Sequence, residues 1–331
     1  MRMTYDEIIK SLKEDPLEEL LKRADKIRRE YVGEEVHLRG IIEFSNYCVN
    51  NCLYCGLRRD NHRLKRYRMK PQEIINLARN LIKQGVKTIV LQSGDDLAYK
   101  RDDITEIVKA IKQEGEVAIT LSLGERPFSD YETWRQAGAD RYLMKHETVN
   151  PELYAQLHPG KTFEGRLRHI VFLKELGYEI GVGNIVGLPG QSFEDLAGDI
   201  LFIKEIEADM AGIGPFIPQE NTPLADKPSG SVELTLRVLA LVRIVAKTPH
   251  LPATTALATL GGEDAQLKAL RGGANVIMPN FTPEEFSRNY KIYDGKTKVT
   301  FSRAKELIKK AGRKIGQDIG GSLRCRTHPK L

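Results

Sequence analysis

Apolar positions in this chain fall into two rhythms. Short runs rich in β-branched residues occur at 37–44, 88–92, 117–122, 141–145, 179–186, 210–216, 252–255 and 275–278, and helical patterns separate them. The helical stretches carry their own punctuation. Lys70-Pro71 puts proline in a first helical turn, and Gly85, Gly115, Gly138 and Gly177 stand where helices end before the next strand. A charged helical stretch, 4–32, precedes the first strand.

Eight strands alternating with helices predict an α/β fold, a (β/α)8 TIM barrel. An open doubly wound sheet would alternate in the same way, but it rarely needs eight strands and wants a glycine-rich phosphate loop after the first. The expected organisation is a helical extension over 1–33, a barrel over 34–283, and a C-terminal segment with a helix, 284–331, that closes it.

Barrel active sites are built from loops at the C-terminal ends of the strands. In this chain the first of those loops holds Cys48, Cys52 and Cys55, three of the four cysteines. Three thiolates in such a tight set leave one corner of a [4Fe–4S] cube without a protein ligand, and an open metal corner is where chemistry happens. A zinc knuckle completed by a distant histidine is the competing reading, but recurrent zinc spacings are paired and no partner pair exists here.

The other strand-end loops are also polar or glycine-rich: Ser93-Gly94-Asp95-Asp96, 122–125, His146-Glu147-Thr148, 187–190, 215–218 and 279–283. Each candidate has an ordinary reading beside the functional one. Asp96 could cap the next helix, and Glu147 could contact a ligand or pair with Arg141 or Lys145. Arg166 could clamp a carboxylate or sit on a helix face. Thr120, Thr254 and Thr255, read as strand residues, could line the cavity or serve only as β-formers. His62 and His146 could bind metal or simply hydrogen-bond. Tyr290 and Tyr293, spaced i, i+3, could share a helical face covering the barrel mouth or pack the C-terminal helix.

The 331 residues are 41% hydrophobic and 29% charged, the composition of a globular protein. No run of about 18 apolar residues exists and the N-terminus lacks an apolar leader, so the expectation is a cytoplasmic protein with no membrane partner. The clustered cysteines fit a reducing compartment. A formal charge of +6 raises the question of nucleic acid, but the basic residues are interspersed with acids, so no nucleic-acid partner is expected.

The C-x3-C-x2-C spacing, with Tyr54 directly before the last cysteine, resembles the signature of the radical S-adenosylmethionine (radical SAM) superfamily. Longer blocks narrow the resemblance: IIEFSN at 41–46, CLYCGLRRDN at 52–61, TIVLQSG at 88–94, TLSLGE at 120–125, GADRYL at 138–143, VGLPGQ at 186–191, GIGPFIP at 212–218, PATT at 252–255 and GANVIMPN at 273–280. Together they closely resemble the HydE family, the radical SAM maturases of [FeFe]-hydrogenase, from about residue 20 to about 315.

The resemblance implies one [4Fe–4S] cluster on Cys48, Cys52 and Cys55, with S-adenosyl-L-methionine on the free iron and against Tyr54, Ser93, Gly94, Asp95, Glu147 and Arg166. It implies a substrate cavity lined by Thr120, Arg141, Lys145, Met210, Thr254, Thr255, Met278, Tyr290 and Tyr293. The substrate it implies is a cysteine-bound iron–carbonyl–cyanide precursor, with an electron donor such as a ferredoxin or flavodoxin and other hydrogenase maturases as partners. A biotin synthase-like or methylornithine synthase-like enzyme is the alternative, and a non-catalytic iron–sulfur scaffold a further one.

Two departures from the family stand out. Extra C-terminal cysteines for a second cluster are absent from 296–305, and Cys325 alone cannot replace them. Lys145 stands where the family is expected to have arginine, which trades a bidentate fork for a point charge.

Overall fold

The computed structural model describes residues 3–324. In chain order the strands are β1 (Glu35–Ser45), β2 (Thr88–Ser93), β3 (Ala118–Ser122), β4 (Arg141–Leu143), β5 (Glu179–Val182), β6 (Ile185–Val186), β7 (Met210–Ala211), β8 (Gly214–Pro215), β9 (Val276–Ile277) and β10 (Lys314–Ile315). β1, β2, β3, β4, β5 and β7 pair in that order, all parallel. Closure follows through single bridges: Met210 to His250, then Pro252 to Val276, and β9 returns to β1 by pairing His37 with Val276. The ring is therefore an eight-position barrel of the TIM type.

The helices between strands show why the apolar spacing works. Helix Arg101–Gln113 buries Ile104, Ile107, Val108 and Ile111, the i, i+3, i+4, i+7 stripe, against the barrel. Each such side chain contributes roughly 1.5–3 kcal/mol by leaving water. Helix Pro71–Lys83 repeats the pattern with Ile74, Ile75, Ala78 and Leu81, and Pro71 does open it. β1 is buried along nearly its whole length, as expected of a parallel strand covered on both sides. The N-terminal extension is two helices, Tyr5–Lys13 and Leu17–Tyr31, packed on the outer helices Phe193–Glu205 and Val232–Ala246.

Three strand expectations need correction. The run 179–186 divides into β5 and β6, and the run 210–216 into β7 and β8, because Gly183 lies against Gly212. A Cβ on Gly183 would meet the Gly212 carbonyl oxygen at 2.1 Å. β6 and β8 then pair with each other at the barrel mouth, outside the main ladder. The run 252–255 supplies only the Pro252 bridge, since proline has no N–H to extend a ladder. Thr254 is instead the N-cap of helix Thr255–Arg271, accepting from the Leu257 N–H, and Thr255 is that helix's first residue.

The segment after residue 283 serves both ends of the barrel. Its first part, through Tyr293, lies at the mouth; its last part crosses the opposite end. There β10 pairs with the start of β1, and the carbonyls of Ile319 and Gly320 accept from the Arg141 guanidinium, each at 2.9 Å. Gly320 also accepts from Arg39, and Gly321 bonds the His250 ring. This tail is the floor of the barrel. Cys325 lies outside the described residues.

Candidate active site

The loop from β1 to helix Pro71–Lys83 has no regular secondary structure, so side chains must hold it. Arg66 does most of this, donating to the carbonyls of Asn46, Leu57, Arg58 and Asn61. Leu57, Leu64 and Tyr290 pack beneath the cysteines. The Gly56 N–H donates to Ile292. The loop also presses on β2: a Cβ on Gly94 would meet the Tyr47 carbonyl at 2.2 Å, so only glycine fits there.

The loop brings Cys48, Cys52 and Cys55 to one wall of a cavity of about 300 Å³. Burial pushes the Cys48 thiol up to about 11, with the Asp95 carboxylate adding to it, and the Cys55 thiol up to about 12, with Cys48 adding to it. A thiol in this position becomes a thiolate most readily when a metal cation takes the proton's place on sulfur. Among the described residues, the one set of three ligand atoms all within 4.8 Å of one another is Glu35, His37 and Asp318, not the cysteines. Sulfurs bound to a single zinc at about 2.3 Å lie no more than twice that apart. The three cysteine sulfurs are therefore not gathered as a single zinc would gather them.

The residues expected around S-adenosylmethionine line this same cavity: Tyr54, Ser93, Gly94, Asp95, Glu147 and Arg166. Their environments differ. Asp95 accepts from Asn50 Nδ2 at 2.6 Å and from the Glu125 N–H at 3.2 Å. Burial still raises its carboxyl, against the pull of Arg166. Asp95 also packs onto Gly124, where a Cβ would overlap the carboxylate. Glu147 has a positive φ of 65°, rare for a residue with a side chain and characteristic of strained functional positions. Its carboxylate pairs with Lys145 at 3.0 Å, the Lys145 branch of the two partners considered. Burial opposes its charge, yet Lys145, His158 and Arg166 hold the carboxyl below its ordinary range.

Arg166 is half-buried, donates to Tyr154 Oη at 3.0 Å and pairs with Glu125 at 3.0 Å. It is an ion-pairing residue of the wall rather than a free clamp. Asp96 is not a helix cap. It pairs with Arg68 and accepts from Ser45 Oγ at 2.6 Å.

A second cavity of about 200 Å³ lies deeper, inside the barrel. Thr120, Lys145, Met210, Thr254, Thr255, Met278 and Tyr293 all line it, as expected of the substrate residues. Gln92, Lys145, Ala256 and Tyr293 line both cavities, so the two are adjacent. Tyr290 lines the upper cavity and is nearly fully buried. The two tyrosines lie beyond the short helix Glu284–Ser287, so they share a loop rather than a helical face.

Arg141 is a correction. It opens β4, at the strand's N-terminal end, and Lys145 at the mouth stands four positions further along the chain, two past the strand's last residue. Its guanidinium bonds Glu179, Thr88 Oγ1, Ile319 and Gly320, so it holds the floor and does not line the cavity. His62 is exposed, and His146 is buried against Asp199 at 3.4 Å, a structural pair.

Sequence reasoning missed several lining residues. Arg39 and Glu43 are charged residues inside the apolar β1, a signal that was available. Lys296, paired with Glu43, and His250 gave none. Neither did His158, whose ring stands between Tyr54 and Tyr154.

Residues 42–203 match the Radical SAM superfamily. Over 316 residues the chain is 54% identical to the [FeFe] hydrogenase maturase subunit HydE of Thermotoga maritima, covering 93% of this chain and 89% of that protein. It is 32% identical to 3-methylornithine synthase of Methanosarcina acetivorans over 84% of this chain and 79% of that one. Among solved structures, methylornithine synthase (PylB) superposes with a TM-score of 0.84 at 27% identity, covering 96% of this chain and 95% of that one. HydG from Carboxydothermus hydrogenoformans has a TM-score of 0.80 at 21% identity, covering 94% of this chain and 75% of that one, a likeness of fold.

Proposed function

Because this chain belongs to the radical SAM superfamily and, within it, to the HydE family of [FeFe]-hydrogenase maturases, we propose that it is a radical SAM enzyme of hydrogenase cofactor assembly. Cys48, Cys52 and Cys55 would hold a [4Fe–4S] cluster by three ligands, leaving the fourth iron for S-adenosylmethionine. When bound, that pair supplies one-electron cleavage of the sulfonium to a 5′-deoxyadenosyl radical. The chain's own task is to bind, orient and exclude water.

Tyr54, the Ser93–Asp95 turn, Glu147 and Arg166 wall the upper cavity and would position the sulfonium cofactor there. Thr120, Lys145, Met210, Thr254, Thr255, Met278, Tyr290 and Tyr293 would surround the substrate, for which we propose the cysteine-bound iron–carbonyl–cyanide precursor. A ferredoxin or flavodoxin would supply the electron.

The single observation that carries this reading is that the three thiols share one cavity with Tyr54, Ser93, Asp95, Glu147 and Arg166, next to a second, largely apolar cavity inside the barrel. Arg39 and His250 border that second cavity and bond the tail carbonyls.

The test is anaerobic reconstitution with iron and sulfide, then dithionite and S-adenosylmethionine, with 5′-deoxyadenosine followed by chromatography and mass. Release of 5′-deoxyadenosine at one cluster per chain is expected. A protein that loads its cluster and releases none is a scaffold. Supplying lysine separates the maturase reading from an amino-acid enzyme like methylornithine synthase, because a new amino-acid product would favour the latter.

A further inference from the structure

Helix Pro151–Leu157 grips the cysteine loop at two successive residues. The Leu157 carbonyl accepts from the Leu53 N–H at 2.9 Å, and the ring of His158, the helix's C-cap, bonds the Tyr54 hydroxyl through Nε2 at 2.8 Å. Leu53 and Tyr54 lie between the second and third cysteines, so this grip bears on the peptide that links two of the thiols.

The chemistry of the contact is settled by its other side. His158 Nδ1 lies 2.8 Å from the Tyr154 carbonyl oxygen, which can only accept. Nδ1 therefore carries the hydrogen, and in the neutral ring Nε2 offers a lone pair. The Tyr54 hydroxyl is the donor, and its direction is fixed. The His158 ring is held in turn by stacking on Tyr154, centroids 4.2 Å apart, and Tyr154 Oη accepts from Arg166. A single chain of contacts runs from the cysteine loop through His158 and Tyr154 to Arg166 and Glu125.

We propose that His158 is a positioning residue for the sulfonium cofactor: as an obligate acceptor it locks the Tyr54 ring in the cavity wall beside the cluster. The inference rests on the radical SAM reading above. His158 forms no bond to the reacting atoms in this assignment; it acts through Tyr54.

The experiment uses the reconstituted protein and reads binding, not turnover. S-adenosylmethionine is titrated into the dithionite-reduced enzyme, and the change in the cluster's electron paramagnetic resonance signal gives a dissociation constant. Iron and sulfide contents are measured alongside. His158→Phe keeps the ring's bulk but leaves the half-buried hydroxyl without its acceptor, which should weaken binding about tenfold at unchanged iron content. His158→Gln, whose amide oxygen can accept near the Nε2 position, should recover most of that loss. Tyr54→Phe removes one oxygen only and should weaken binding to a similar extent. The double variant should be no worse than either single one, since both break the same contact.

Wild-type affinity and signal change in His158→Phe would overturn the proposal, as would strictly additive losses in the double variant. A wild-type enzyme that carries its cluster but shows no response to S-adenosylmethionine would sink the functional reading itself, a distinct result.

Discussion

The two ends of the barrel use the same kinds of residue for opposite purposes. At the floor, Arg39, Arg141 and His250 bond the backbone carbonyls of Ile319, Gly320 and Gly321, and Arg141 also pairs with Glu179. At the mouth, Lys145, Glu147 and Arg166 line a cavity with thiols beside them, and Glu125 pairs with Arg166 behind its wall. The floor's bonds to the tail cannot be exchanged for a ligand without unseating it, so the floor is structure. Side-chain pairs lining a cavity can be rearranged around a ligand, so the mouth is chemistry. What separates Arg141 from Lys145 is the length of the short strand β4 and the first turn beyond it.

The contrast can be broken most forcefully at the thiols. Cys52→Ala should lose iron and reduce 5′-deoxyadenosine to background, at least a thousandfold, while thermal unfolding of the barrel scaffold shows a retained cooperative transition. Release of 5′-deoxyadenosine by that variant would remove the mouth's assigned role.

The floor is tested next. Arg141→Ala leaves Glu179 and two carbonyls without their buried cation and should cost about 2–3 kcal/mol of stability, less than a fully buried pair because Glu179 keeps some water. Cofactor cleavage per loaded cluster should be unchanged. Urea unfolding against turnover reads the split, and a variant that unfolds normally but loses activity would move Arg141 back to the chemistry.

Glu147→Gln is the mirror experiment. It keeps the shape but removes the charge beside Lys145, and should weaken S-adenosylmethionine binding about tenfold, on the order of 1.4 kcal/mol, with a smaller change in unfolding.

The smallest effect concerns pH. Burial raises the Glu125 carboxyl, but Arg166 and Lys161 outweigh it and hold the group below its ordinary range. A depressed carboxyl stabilises the fold above its unfolded value of about 4.3 and loses that contribution as pH falls through the folded value. Glu125→Gln should therefore be less stable than wild type by about 1 kcal/mol near neutrality, with the gap closing below roughly pH 4. A gap that persists in acid would show packing, not charge, at that position.

The sequence made the barrel legible because its first five strands are short apolar runs, most of them with β-branched residues, set between glycine-stopped helices. It made the cysteine loop legible for a simpler reason: three thiols within eight residues have few uses. Other features left weaker traces. The seventh barrel position is two bridges at His250 and Pro252, with Thr254 already capping a helix. The tail floor has no apolar rhythm to detect, since its contacts are the main-chain carbonyls of Ile319, Gly320 and Gly321. Arg141 was misplaced because a charged residue beside a strand reveals nothing about which end it occupies until register is known. His158, one of seven histidines, acquires meaning only from Tyr54 and Tyr154, distant in the chain or on another turn.

The floor also sets an order of events during synthesis. β1 emerges early and finds β2 within a few dozen residues, but its other edge pairs with Val276 and Lys314. At roughly 5–20 residues per second the ribosome takes on the order of tens of seconds to deliver those partners. Until then an apolar parallel strand waits half-paired, and the segment that shuts the vessel is made long after it.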